Sequence, residues 1–264
     1  MTSPNSLHCR QFGQGERRCL ALHCTLAHGG TWRRVAQRLS GVVTLTAPDL
    51  PGHGKSANWD GTRDVHDATT AACAPLLGPS TDLVGHSFGA TVALRLALDH
   101  PGRIRSLTLV EPVLFSAARA SARAVLAETQ KQAAPHIEAF RCGDTETAAR
   151  LFNRIWGDGT SWKDFPRPAR TYMADRIHLV DAQNAAVFED LPGMLDPGRL
   201  EALSVPSLLI EGTCSPAVIG AINDALEHRL PNVLRVIIEG AGHMAPMTHP
   251  NAVAAAMMSL FEET

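Results

Sequence analysis

The chain has 264 residues, 45% of them hydrophobic and 19% charged, which is enough for one large domain with a sizeable core and excludes a disordered polymer. Its 24 basic residues are balanced by 26 acidic ones, so the excess of positive charge that attracts nucleic acid is absent. No apolar run reaches the roughly 18 residues of a membrane span, and the polar amino terminus lacks the apolar stretch of a signal peptide. We therefore expect a cytoplasmic protein with reduced cysteines.

Short apolar runs alternate with helical stretches along the chain. The runs are residues 18–24, 42–50, 81–87, 106–112, 204–212 and 232–240. Runs that are apolar on successive residues predict strands covered on both faces. Helical stretches between them, such as residues 90–100, make β-α-β units. The pattern predicts an α/β fold in which a mostly parallel central sheet carries helices on both faces.

One long stretch breaks this alternation, because residues 115–198 contain no strand pattern. We predict two or three helices over residues 116–155, broken near Pro135 and Gly143, then a loop over 157–170 and a helix over 171–190. The chain would thus have a core of residues 1–114 and 199–264 and a helical cap of residues 115–198 over one end of the sheet. A peripheral group of helices without a functional role is the alternative.

The sharpest chemical motif is Gly85-His86-Ser87-Phe88-Gly89, which fits the pattern GxSxG. It lies between an apolar run and a helical stretch, the strand–turn–helix setting in which such a serine acts as a nucleophile. The two glycines let strand and helix approach closely. At the start of the helix, the N–H of Phe88 and the helix dipole would stabilise negative charge. The motif predicts Ser87 as a nucleophile, and a glycine-rich turn with an incidental serine is the alternative.

A serine hydroxyl needs a general base, and the chain has 12 histidines. His243 is the best candidate, because it lies in a glycine-flanked loop directly after the last apolar run, where α/β sheets keep their sites. His86 is expected to point away from its neighbour Ser87 and to be structural. His23 and His53 are expected to hydrogen-bond loops.

The order of these motifs resembles the α/β-hydrolase family over nearly the whole chain. Residues 22–32 (LHCTLAHGGTW) resemble the family's oxyanion-hole loop and residues 47–56 (APDLPGHGKS) its DxxGxGxS turn. Residues 83–90 resemble its nucleophile elbow and residues 240–250 its histidine loop. The resemblance implies the α/β-hydrolase fold with a helical cap. It also implies a serine mechanism that needs no metal and no organic cofactor.

The chain departs from the family pattern at the acid of the catalytic triad. The position that usually carries an Asp holds Ser215, which has no charge. Some relatives carry the acid at the end of the strand before the cap, where this chain has Glu111. We therefore predict a triad of Ser87, Glu111 and His243. The alternative for Glu111 is an acid that only bonds loop amides; weaker candidates for the triad acid are Asp196 and Asp224.

A second departure is Cys24, which stands where the family usually has the glycine of a His-Gly pair. The oxyanion donors are then predicted to be the backbone N–H groups of Phe88 and Thr25, with that of Leu26 as an alternative to Thr25. Nothing in the sequence marks Cys24 itself as a reactive thiolate.

Together these residues predict a serine hydrolase that cleaves a small, largely apolar carboxylic ester or lactone through an acyl-enzyme. Candidate pocket residues, for which core packing is the alternative, are Leu26, Trp32, Trp156 and Met244. A carbon–carbon bond hydrolase, a thioesterase and a perhydrolase would use the same Ser and His. A non-catalytic small-molecule receptor stays open because position 215 lacks an acid. The expected partner is a small-molecule substrate, not nucleic acid or a membrane, for a monomer or homodimer.

Overall fold

The computed structural model describes residues 7–264, which are built around one seven-stranded sheet. Its strands are β1 Cys9–Phe12, β2 Arg17–Leu22, β3 Val43–Pro48, β4 Thr81–His86, β5 Ile104–Val110, β6 Ser207–Gly212 and β7 Val233–Ile238. They lie in the order β1-β3-β2-β4-β5-β6-β7, and every neighbouring pair is parallel except β1 with β3. The mostly parallel sheet predicted from the apolar runs is confirmed. The sequence analysis missed β1, a short and partly exposed edge strand.

Helices cover both faces of this sheet, as predicted. The helices are α1 Arg33–Arg38, α2 Val65–Cys73, α3 Phe88–Asp99, α4 Arg123–Arg141, α5 Thr145–Trp156, α6 Arg167–Arg176, α7 His178–Ala182, α8 Asn184–Val187, α9 Ala217–Arg229, α10 Ala245–Thr248 and α11 Pro250–Glu262. α2, α3 and α9 pack on one face and α1 and α11 on the other, in two separate apolar clusters. Strands β4 and β6 are buried along their whole length for this reason. None of the helices in residues 7–264 combines the length and apolarity needed to cross a bilayer.

Residues 115–198 are helical and contain no strand in the structure, which describes all of them. The predicted break at Pro135 is wrong, since α4 continues through it. Pro135 lies on the exposed side of α4, so water can bond to the carbonyl that loses its helical hydrogen bond there, which lowers the cost of a proline inside the helix. The predicted break at Gly143 is confirmed: its φ of 80° ends α4, and the Asp144 side chain caps α5.

The second half of this helical segment differs from the prediction in detail. Residues 157–170, predicted as loop, already contain the start of α6. Pro168 stands in the first turn of that helix, where a proline costs no hydrogen bond. The single helix predicted over residues 171–190 is divided into the end of α6 and the short helices α7 and α8.

The helical segment contacts the loops that follow β2 and β3. The Tyr172 hydroxyl donates to the carbonyl of Ala27 and accepts the N–H of Gly54, both at 2.8 Å. Leu179 lies against Gly52, where an added Cβ would approach its side chain to 2.9 Å. These contacts hold the helices against the carboxyl ends of the strands, and a cavity lies between the two.

Candidate active site

Ser87 occupies the tight turn between β4 and α3. Its φ of 56° and ψ of −118° are strained for a residue with a side chain. A Cβ on Gly85 would overlap the backbone of Ala90, and one on Gly89 would overlap the carbonyl of Leu22. The two glycines of the motif are therefore required by the close approach of α3 to β4 and β2.

Glu111 directly follows β5, is fully buried and also has a positive φ, 52°. One carboxylate oxygen, Oε2, lies 3.2 Å from Nδ1 of His243. The other, Oε1, accepts the N–H of Gly212 at 2.7 Å and the hydroxyl of Ser215 at 2.6 Å. The serine that replaces the family's usual acid thus hydrogen-bonds to the carboxylate that stands beside the histidine.

The alternative acids do not contact His243. Asp224 lies on the exposed side of α9, where it pairs with Arg235 at 2.5 Å. Asp196 lies in the exposed loop before β6. With Nδ1 of His243 facing Glu111, Nε2 is the ring nitrogen that remains for a proton from a nucleophile.

His86 connects the serine turn to the histidine loop. Its Nε2 donates to the backbone carbonyl of His243 at 2.7 Å, and the ring is buried. Burial lowers the pKa of His86 to about 3, so the ring stays neutral at neutral pH. His86 therefore has the structural role predicted from the sequence, and its ring fixes the loop of His243.

Ser87 and His243 line the same cavity, although they lie 156 positions apart in the chain. Within residues 7–264 no hydrogen bond joins the Ser87 hydroxyl to the imidazole. Such bonds are often long in a free enzyme and tighten when substrate binds. The structure therefore brings the two groups to one site without joining them.

The loop after β2 contains two of the candidate oxyanion donors, the backbone N–H groups of Thr25 and Leu26. The N–H of Leu26 donates to Nε2 of His53 at 3.1 Å and is thereby excluded as a donor. The N–H of Thr25 has no acceptor among the described residues, and Phe88 begins α3, where an N–H has no partner within the helix. Leu26 has the left-handed backbone conformation in this loop, with a φ of 63°. Cys24 does not have a positive φ, so it stands without backbone strain where the family usually has glycine.

Two buried histidines hold this loop, as the sequence analysis predicted. His23 accepts the N–H of Leu50 at Nε2, 2.9 Å away, and its Nδ1 faces the carbonyl of Cys24 at 2.7 Å. His53 bonds Leu26 as described and the carbonyl of Pro51. Burial raises the pKa of the Cys24 thiol to about 12, so this sulfur is a neutral thiol and a poor nucleophile.

The cavity has a volume of about 310 Å³ and is mainly apolar. The apolar lining residues that come from the helical segment include Phe115, Ile137, Phe140, Phe152, Val180 and Val187. Trp156 lines it as well, with its ring 4.8 Å from that of His243, and Met244 lies beside that histidine. Two of the four predicted pocket residues thus line the cavity.

The other two predicted pocket residues lie elsewhere. Trp32 ends the short turn before α1 and is buried in the apolar core between the sheet, α1 and α11, so its prediction as a pocket residue is wrong. Leu26 is partly buried against the small apolar cluster of α5 and α6 and does not line the cavity. The sequence analysis missed His136, Asp181 and Gln183, which do line it and which no motif marks.

Comparison with known proteins agrees with this architecture. A sequence family described as the alpha/beta hydrolase family matches residues 20–256. Lipase LipV of Mycobacterium tuberculosis is 30% identical over 96% of this chain and 97% of its own length. A pimeloyl-[acyl-carrier protein] methyl ester esterase of Aeromonas salmonicida is 29% identical over 93% of this chain and 95% of its own. A thermophilic esterase from Thermogutta terrifontis shares the fold, with a TM-score of 0.72 and 22% identity over 97% of this chain and 92% of that one. The chain therefore belongs to the alpha/beta hydrolase family.

Proposed function

We propose that the chain is a serine hydrolase of small, largely apolar carboxylic esters or lactones. The observation that carries the proposal is the buried Glu111 carboxylate 3.2 Å from Nδ1 of His243, whose ring lines one cavity with Ser87. The three residues follow different strands and meet only in the fold. A carboxylate beside the histidine supports an enzyme over the non-catalytic receptor, which the missing acid at position 215 had left open.

In the proposed mechanism, Nε2 of His243 takes the proton of Ser87 as Oγ attacks the substrate carbonyl. The N–H groups of Phe88 and Thr25 stabilise the oxyanion, and each such donor is worth about 3 kcal/mol of barrier. Glu111 keeps the imidazole in one tautomer and stabilises the imidazolium. The alcohol leaves with the proton, an acyl-enzyme remains, and water deprotonated by His243 releases the acid.

Residues 115–198 are proposed to act as the cap that shapes the substrate site. Their apolar side chains form most of the cavity wall, which suits a hydrocarbon chain. The charged lining residues within residues 7–264 are Asp181 and Glu189, both acidic, and no Lys or Arg joins them. A neutral ester therefore fits this cavity better than an anionic one.

Two of the relatives support an ester as the bond that Ser87 and His243 cleave. The two relatives named above are described as a lipase and as a methyl ester esterase. An activity screen with matched esters, lactones and thioesters of equal chain length would rank the bond types. The highest kcat/KM is expected for an ester or a lactone.

A fluorophosphonate that reacts with activated serines tests the proposal directly. We expect one label per chain, located at Ser87 by peptide mapping, together with hydrolysis of p-nitrophenyl butyrate. Ser87→Ala should lose both the label and the hydrolysis, whereas Ser259→Ala, on the exposed side of α11, should keep both. Failure of the folded wild-type chain to label, or a label at another serine, contradicts the proposal.

A further inference from the structure

Gln183 carries a buried amide that the proposed mechanism does not use. It stands between α7 and α8, is 8% exposed, and lines the cavity that holds Ser87. Its backbone carbonyl accepts the N–H groups of Ala186 and Val187, both at 3.1 Å, which fixes the junction of the two helices. The helical segment therefore places this polar side chain in a mainly apolar wall.

The oxygen of this amide is bound to the loop after β2. Oε1 of Gln183 accepts the hydroxyl of Thr25 at 2.8 Å, a contact between buried side chains that lie 158 positions apart. Thr25 is also the residue whose backbone N–H is proposed to stabilise the oxyanion. The helical segment thus contacts this loop at a residue on which the proposed mechanism depends.

The nitrogen of the amide has no such partner. Nε2 of Gln183 forms no hydrogen bond with residues 7–264, although an amide nitrogen has two N–H groups to donate. It keeps solvent-accessible surface, unlike Nδ1 of His136, which is sealed inside the protein. Because Nε2 and Oε1 are bonded to the same carbon atom, the nitrogen also lies near Thr25. A molecule in the cavity can therefore reach it.

We infer that Nε2 of Gln183 donates a hydrogen bond to a second carbonyl oxygen of the substrate, while Oε1 holds Thr25 in place. Buried donors are normally paired. The lining includes Val187, which is bonded to the same helix junction, and Cys24, which precedes Thr25, and neither side chain offers a strong acceptor. A carbonyl oxygen is the acceptor that suits an uncharged amide. A hydrocarbon at this position would leave Nε2 without a partner.

The place of this donor sets the kind of substrate. The inference rests on the proposed ester hydrolysis, in which the N–H groups of Phe88 and Thr25 bind the oxygen of the attacked carbonyl. A donor beside Thr25 reaches an oxygen that is only a few bonds from that carbonyl. The substrate class is therefore a keto ester or a diester, with its second carbonyl on the acyl or the alcohol side, and not a plain hydrocarbon ester.

Matched ester pairs test the inference and distinguish the two sides. The acyl pair is methyl levulinate and methyl isocaproate, and the alcohol pair is acetonyl butyrate and isobutyl butyrate. In each pair a methyl group replaces a ketone oxygen, so the shape is kept and the acceptor is lost. The quantity measured is the ratio of kcat/KM for the keto ester to that for the plain ester. For one of the pairs we expect Gln183→Met to lower this ratio about tenfold, because methionine has a similar length but no donor.

The ratio separates binding of the substrate from a structural effect. A variant that only disturbs the loop lowers kcat/KM for both esters of a pair and leaves their ratio unchanged. Thr25→Val removes the hydroxyl that holds Oε1 but keeps the backbone N–H, so it should lower the ratio about threefold. It decides the case if Gln183→Met does not fold. Thr25→Ser keeps the hydroxyl and should keep the ratio.

A matched control comes from the same helical segment. Gln132 lies on the exposed side of α4 and does not line the cavity, so Gln132→Met should leave both ratios unchanged.

The outcomes separate the two proposals. If the wild-type chain hydrolyses the esters but neither ratio changes in the Gln183 and Thr25 variants, the carbonyl contact is wrong and the serine hydrolase stands. If no ester is cleaved and Ser87 is not labelled by the fluorophosphonate, both are wrong.

Discussion

The loops at the strand ends and the helical segment line one cavity but are built differently. In the strand-end loops the side chains are held by several partners: the Glu111 carboxylate has three, and His86 holds the backbone of His243. Three residues with strained positive φ, namely Leu26, Ser87 and Glu111, lie in these loops. The helical segment instead contributes apolar walls and His136, whose Nδ1 has no hydrogen-bond partner within residues 7–264. The contrast favours a division in which the fixed loops supply the chemistry and the helices select the substrate.

Glu111→Gln should have the largest effect on turnover. The amide keeps the shape of the carboxyl group but removes the charge that stabilises a protonated His243, so kcat should fall about a thousandfold to ten-thousandfold. Glu211→Gln is the matched control, because Glu211 lies in the neighbouring strand β6 and pairs with Arg235, not with the histidine. Equal losses of kcat in both variants would mean that the fold, not the triad, depends on Glu111.

Acid should destabilise the core through its buried histidines. Burial lowers the pKa values of His53 and His66 to about 4 and that of His86 to about 3, below the ordinary value of 6.5. Below pH 6.5 the unfolded chain then binds more protons than the folded chain. The free energy of unfolding should fall as the pH falls towards 4, by about 1.4 kcal/mol per pH unit for each histidine. Urea unfolding across this range measures the slope.

A single-site variant shows whether this slope comes from the core. His66→Phe removes one histidine whose Nε2 is buried and has no hydrogen-bond partner in the part of the chain that the structure describes, so the pH dependence of unfolding should become shallower by about one proton. His178→Phe, at an exposed position in the helical segment, should leave the slope unchanged. The same slope in all three chains would contradict the assignment to the core.

His86→Phe should reduce turnover through the position of His243. The variant loses the hydrogen bond to the carbonyl of His243, so we expect kcat to fall about tenfold to a hundredfold with little change in KM. His86→Gln places a donor near the position of Nε2 and should recover most of kcat. His100→Phe, at the end of α3, serves as the control. A rise in KM alone, without rescue by Gln, would point to the cavity wall instead.

The sequence predicted strands β2 to β7 and the order of the motifs, because apolar runs and turn residues are local signals, whereas the short and partly exposed β1 has no apolar run. It therefore located Ser87 and His243 at strand ends. Whether an aromatic residue faces a cavity or a core depends on contacts between distant segments, and this is why Trp32 was misplaced. His136 carries no motif, and only the packing of α4 against its neighbours brings it to the cavity. Proline predicts a helix break from the sequence alone, and the exposure of Pro135, which lets water replace the lost hydrogen bond, depends on how α4 packs.

Ser215→Ala should have the smallest effect of these substitutions, and its size measures how redundantly the strand-end loops hold their carboxylate. The hydroxyl of Ser215 donates to Oε1 of Glu111, and its loss leaves the N–H of Gly212 on the same oxygen. One hydrogen bond of about 1 kcal/mol, partly replaced, corresponds to a fall in kcat of about threefold to fivefold. A fall larger than that of Glu111→Gln would reverse the roles of the two positions. A small fall fits a loop in which the charge on Glu111 matters most and the hydroxyl of Ser215 only helps to hold it in place.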